Sequence, residues 1–140
     1  MKKPTKESIK ISGYVHDFLN VYAPTHKTGS GHTLRSYEDA LVLYMKFLET
    51  EKKVCGGDLG GSCFRRTVIE EWLEWLRNIR NCSPQSCNSR LASISTFLKY
   101  MGSRDVSLLV LCHEAAGIPR MKCVRKQVRG MSREAAQALM

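Results

Sequence analysis

The sequence predicts an all-α fold, a bundle of four or five short helices followed by a basic C-terminal linker. Three observations predict it. Apolar residues recur every three to four positions through most of the chain, the period of a helix with one buried face. Glycine and proline punctuate that pattern at Pro24, Gly60, Gly61, Pro84, Gly102, Gly117 and Pro119. No pair of alternating runs joined by a tight turn marks a β-hairpin. A chain of 140 residues buries roughly two thirds of its unfolded surface, enough for a core.

The elements follow in order. Residues 6–22 place Ile11, Tyr14, Val15, Phe18, Leu19 and Tyr22 on one face, and Pro24 is expected to end that helix, with residues 25–31 as a flexible connector. Leu34, Tyr37, Leu41, Tyr44 and Leu48 form the stripe of a second helix starting near His32 or Thr33. Four glycines between Val54 and Ser62 read as a mobile connector; a phosphate-cradling loop would need a Lys-Ser/Thr and a preceding strand. A third helix from Phe64 to Ile79 has Val68, Ile69, Trp72, Leu73, Leu76 and Ile79 as its inner face, with Arg65 and Arg66 at one end and Arg77 and Arg80 at the other. The last two suit the negative end of the helix dipole.

The fourth helix has the clearest start, with Ser83 as cap and Pro84 at the first position. Leu91, Ile94, Leu98 and Met101 make its core stripe, Gln85, Ser89, Ser93 and Thr96 a polar face of short side chains, and Gly102 a C-terminal cap. A fifth helix covers about Asp105 to Ala116, stopped by Gly117 and Pro119. Residues 118–131 read as a basic linker, and Ser132 opens a further helical pattern that the chain does not complete, as expected of a fragment.

The net charge is +9, but it is uneven. Four lysines face one glutamate in residues 1–10, and six basic residues face one glutamate in residues 118–140, whereas residues 11–117 are nearly neutral. Basic ends of this kind suit polyanions, nucleic acid first. No run of apolar residues approaches a membrane span, and the first twelve residues lack the apolar stretch of a signal peptide, so a cytoplasmic protein with no membrane partner is expected. The six cysteines then read as reduced thiols rather than disulfides or a metal site, since no Cys-x-x-Cys pair exists; Cys87 and Cys112 are expected to face the core. No nucleophile sits on a recognisable sharp turn, and His113-Glu114 lacks the second histidine of a zinc-protease helix.

One resemblance is specific in its order. His32-Thr33-Leu34-Arg35-Ser36-Tyr37 opens a helix that runs to Phe47-Leu48, Trp72-Leu73-Glu74-Trp75-Leu76 follows, and Ser83-Pro84-Gln85-Ser86-Cys87-Asn88-Ser89-Arg90-Leu91 leads to Phe97-Leu98-Lys99-Tyr100-Met101. This resembles the N-terminal, SAM-like core-binding domain of tyrosine recombinases of the phage-integrase family. There a Thr-x-x-x-Tyr helix start precedes a Ser-x-x-Thr-x-Asn-Arg-Arg-Leu helix. Cys87 stands here in place of the threonine and Ser89 in place of the first arginine. Pro119 with the basic residues after it resembles the interdomain linker, and Met131-Ser132-Arg133-Glu134 the opening of the catalytic domain.

The resemblance implies a helical core-binding domain over residues 1–117, a linker over 118–131 and the start of a truncated catalytic domain over 132–140. It implies a non-covalent grip on double-stranded DNA in integration and recombination, alongside other recombinase subunits in the full-length protein, with no catalytic residue, cofactor or metal in this chain. His32 and Arg35 match a His-x-x-Arg string but lie in the wrong domain for catalysis. The expected DNA contacts are Thr33 and Arg35 on the second helix, Arg77 and Arg80 at the end of the third, Ser86, Asn88, Ser89 and Arg90 on the fourth, and Lys122, Arg125, Lys126 and Arg129 in the linker. Base readout would fall to Asn88 or Arg90. The rival readings are a helical protein-interaction module with basic tails and an enzyme with an isolated cysteine site.

Overall fold

The computed structural model describes residues 5–27, 31–54 and 58–122. Helix α1 (Lys6–Asp17) starts at Thr5, whose side chain accepts the Ser8 N–H at 3.0 Å. Pro24 does not end this element. The coil widens at Phe18 into a π-helical segment, Phe18–Lys27, that carries Pro24 inside it. A proline ring collides with the carbonyl four residues back in an α-helix, and the wider coil moves that carbonyl away.

Helix α2 (Gly31–Glu51) buries Ala40, Leu41, Tyr44, Phe47 and Leu48. Lys53 then takes φ 57°, and the Val54 N–H closes back on the Leu48 carbonyl at 2.9 Å. The connector expected to be mobile is anchored where it is described. It forms a 3-10 turn, Gly61–Phe64, with Leu59 and Phe64 buried and the Tyr44 hydroxyl donating to the Cys63 carbonyl at 2.5 Å. The Gly61 N–H donates to the chain's own Glu7 carboxylate at 2.9 Å.

Helix α3 (Arg66–Asn78) buries Ile69, Trp72, Leu73, Trp75 and Leu76. Ile79, expected on the inner face, is 65% exposed. The helix ends one residue earlier, and Asn81 at φ 57° turns the chain while the Cys82 N–H returns to the Leu76 carbonyl at 2.9 Å. Asparagine tolerates this left-handed position better than most residues.

Helix α4 (Pro84–Arg104) starts at Ser83, whose Oγ accepts the Ser86 N–H. It buries Leu91, Ile94, Phe97, Leu98 and Met101, and α2, α3 and α5 all pack on it. Gly102 is no cap. It lies buried in the last turn of α4, where an added Cβ would come within 3.2 Å of the Leu109 Cα. Its missing side chain admits the next helix; the terminus falls to Asp105 in extended conformation. A 3-10 turn (Val106–Leu108) leads into α5 (Leu109–Ala116), which buries Leu111 and Ala115.

The core is aromatic at its centre. Tyr44 stacks on Phe64 at 5.1 Å and meets the edge of Trp72 at 5.0 Å, and Phe18 contacts Phe97 at 5.4 Å. Such pairs add about 0.5–1.5 kcal/mol each beyond the area they bury. The bundle is all-α, with no strand among the described residues and no helix there long and apolar enough to cross a membrane. It extends past Gly117, because Ile118 is buried and Met121 packs against the core.

Candidate nucleic-acid interface

The end of α3 and the first turns of α4 carry six of the twelve residues expected to touch DNA. Arg77 and Arg80 lie on the turn that ends α3, and Arg80 stacks over the Trp75 ring at 5.8 Å. Arg77 and Arg90 both act electrostatically on the Cys87 thiol, so the end of α3 and the second turn of α4 share one neighbourhood. Cys87 itself is buried, as expected, and burial pushes its thiol above the ordinary cysteine value, with Cys82 adding to the rise and the two arginines opposing it. A protonated buried thiol is a poor nucleophile.

Ser86 is committed to the helix cap through Ser83, while Ser89 is exposed. Gln85 is exposed as well, but the second half of the expected polar face, Ser93 and Thr96, is covered fully or in part. Ser93 is buried and donates to the Ser89 carbonyl at 3.3 Å, and Thr96 donates to the Ala92 carbonyl at 2.9 Å. Back-bonding of this kind satisfies a hydroxyl without a partner outside the helix.

Asn88 is the residue whose role changes most. Its Oδ1 accepts the Met121 N–H at 2.7 Å and its Nδ2 donates to the Met121 carbonyl at 2.8 Å. Arg120, which the sequence did not single out, donates from its guanidinium to the Asn88 carbonyl at 3.1 Å. The start of the basic segment is thereby fastened to α4, with Arg120 and Lys122 exposed beside it. The only advance sign of Arg120 was its place in a basic run; nothing local in the sequence pairs residues 33 positions apart.

Thr33 and Arg35 sit elsewhere. Tyr37, in the next turn of α2, packs on Phe18 at 5.3 Å, and Phe18 packs on Phe97 and Tyr100 in the second half of α4. Phe97 is nine residues beyond Asn88, about 13 Å along the helix. Arg125, Lys126 and Arg129 lie outside the described residues.

Charge pairing separates the arginines. Arg65 forms a two-pronged bond to Glu114, at 2.9 and 2.6 Å, and Arg66 pairs with Glu70 at 3.2 Å. Arg35, Arg77, Arg80, Arg90, Arg120 and Lys122 have no carboxylate within ion-pair distance among the described residues. The Arg90 Nε is also buried with no hydrogen-bond partner there. The α4 N-terminus, with its positive dipole end, therefore stands among unneutralised cations. No family of known proteins, no curated protein and no solved structure matches this chain.

Proposed function

We propose that this chain is the core-binding domain of a tyrosine-type site-specific recombinase or integrase, holding double-stranded DNA without cutting it. In that role it acts in the cytoplasm beside other recombinase subunits in the full-length protein. The observation that carries the reading is the group of cations at the α3–α4 junction with no carboxylate partner among the described residues: Arg77, Arg80 and Arg90, with Arg120 and Lys122 fastened next to them. Phosphate oxygens are the ligands such a group suits, since each neutralised phosphate releases counterions and adds to affinity. The sequence resemblance and the all-α bundle support the same reading.

The test is a titration of duplex DNA at two salt concentrations, with Arg90→Ala alongside. Binding at low salt, a steep loss with salt, and a weaker and shallower response for the variant are expected. Absence of binding at low salt overturns the reading.

One observation favours the protein-interaction module. Val106, in the 3-10 turn that leads into α5, is 82% exposed, and Val110, in the first turn of α5, is 52% exposed. That reading expects binding to a protein that survives high salt and is lost on Val106→Ser with Val110→Ser. The raised Cys87 thiol speaks against Cys87 as the nucleophile of the cysteine-enzyme reading.

A further inference from the structure

The geometry points to Asn88 as a latch rather than a reader: it holds the start of the basic segment against α4, so that the cations of the segment and those of the α3–α4 junction meet DNA as one surface. The inference rests on the DNA reading above. An asparagine that met a base would present a free carboxamide edge. Here both ends of the amide face the backbone of a single residue, Met121, as acceptor at 2.7 Å and donor at 2.8 Å. The third bond, from the Arg120 guanidinium to the Asn88 carbonyl, spans the same junction. Ile118 and Met121 bury apolar surface on either side of Arg120, so the strap is seated as well as bonded.

The consequence is one of effective concentration. Arg120 lies within the latch and Lys122 is the first residue beyond it, and both are exposed. Cations tethered at a fixed point on a rigid helix engage a phosphate backbone at a smaller entropic cost than the same cations on a free chain. Linkage makes the effect reciprocal: if closing the latch strengthens DNA binding, bound DNA must hold the latch closed by the same factor.

The experiment uses the whole chain and two variants that break the same bond from opposite sides. Asn88→Ala removes the amide. Met121→Pro removes the N–H that Asn88 accepts and leaves Asn88 in place on α4. Duplex affinity is measured at low salt, with circular dichroism to check the fold and amide exchange to follow residues 121 and 122. Both variants are expected to weaken binding, Asn88→Ala by about tenfold, the weight of two ordinary hydrogen bonds, and Met121→Pro by about threefold, the weight of one. The double variant is expected to be no worse than Asn88→Ala alone, and duplex DNA to slow exchange at Met121 in the parent chain. If Asn88→Ala weakens binding and Met121→Pro does not, Asn88 touches DNA directly and the latch is wrong. Parent-like binding by both variants also overturns it. If the parent chain fails to bind DNA, the functional reading fails and the latch's role in binding fails with it.

Discussion

The two ends of α3 carry the same residue type and put it to different uses. At the N-terminal end, Arg65 and Arg66 sit where the helix dipole is unfavourable to cations, and each is neutralised, by Glu114 of α5 and Glu70 of the next turn. The Arg66 N–H donates to Glu114 as well, so one carboxylate covers the side chain of Arg65 and the backbone of the helix start. At the C-terminal end, Arg77 and Arg80 sit where the dipole favours them, and no carboxylate reaches them among the described residues. The first pair ties α5 to α3 and leaves little net charge for a partner. The second group leaves its charge available. Arginine count alone therefore says little about binding here; carboxylate placement decides which cations are free.

The largest test of that contrast is a double substitution at each end. Arg77→Ala with Arg90→Ala is expected to weaken duplex binding by about a hundredfold at low salt and to lower the salt slope by about two. Thermal stability should hold, because neither side chain has an ion-pair partner to lose among the described residues. Arg65→Ala with Arg66→Ala should do the reverse, lowering the unfolding midpoint and leaving DNA affinity within about twofold. Equal losses of affinity from both ends would dissolve the distinction.

How much of this was legible depended on the range of the interaction. The helices, the Ser83 cap and the stripe of Leu91, Ile94, Leu98 and Met101 follow from spacings of three and four, and the structure has them. The exposed Ile79 and the buried Gly102 were misplaced for a common reason. Helix periodicity says which face is apolar but not where a neighbouring helix crosses or where the chain turns. Asn81 at φ 57° ends the inner stripe, and Leu109 needs the space at Gly102. At the candidate site, Arg77 and Arg80 were legible from a helix end and Arg90 from a polar helix face, each as a separate contact. The Asn88–Met121 bonds and the Arg65–Glu114 pair join residues 33 and 49 positions apart, and no local signal announces them.

The paired end depends on the parts that present it, which yields two predictions of intermediate size. Tyr44→Phe leaves the Cys63 carbonyl without the bond that holds the turn before Arg65, at a cost of about 1–3 kcal/mol in denaturant unfolding. Gly102→Ala gains helix propensity but forces α5 away from α4, since the new Cβ would meet the Leu109 backbone. The net expectation is a loss of about 1 kcal/mol, together with a weakened Glu114–Arg65 contact, because Glu114 travels with α5. A gain in stability would show that the interhelical approach has slack. Neither substitution should change DNA affinity.

The smallest expected effect is acid sensitivity confined to the paired end and its neighbour. The Arg65 side chain and the Arg66 N–H hold the Glu114 carboxyl below its ordinary value, and Lys10 with Ser107 holds Asp105 down to about 2. Both groups are depressed in the folded state, so their contribution is complete above the ordinary carboxylate range and is lost as pH falls through it towards 2. Both carboxylates are half-buried but their partners Arg65 and Lys10 reach into solvent, which keeps the effect modest and sensitive to salt. The arginines at the other end have no paired carboxylate to protonate among the described residues. Unfolding midpoints measured from pH 5 down to pH 2 should therefore fall for the parent chain, and fall less for Glu114→Gln and Asp105→Asn, which have already lost the titrating group. A parent chain whose midpoint stayed level to pH 2 would mean that these ion pairs add nothing to the fold, and the division between structural and available arginines would then rest on DNA affinity alone.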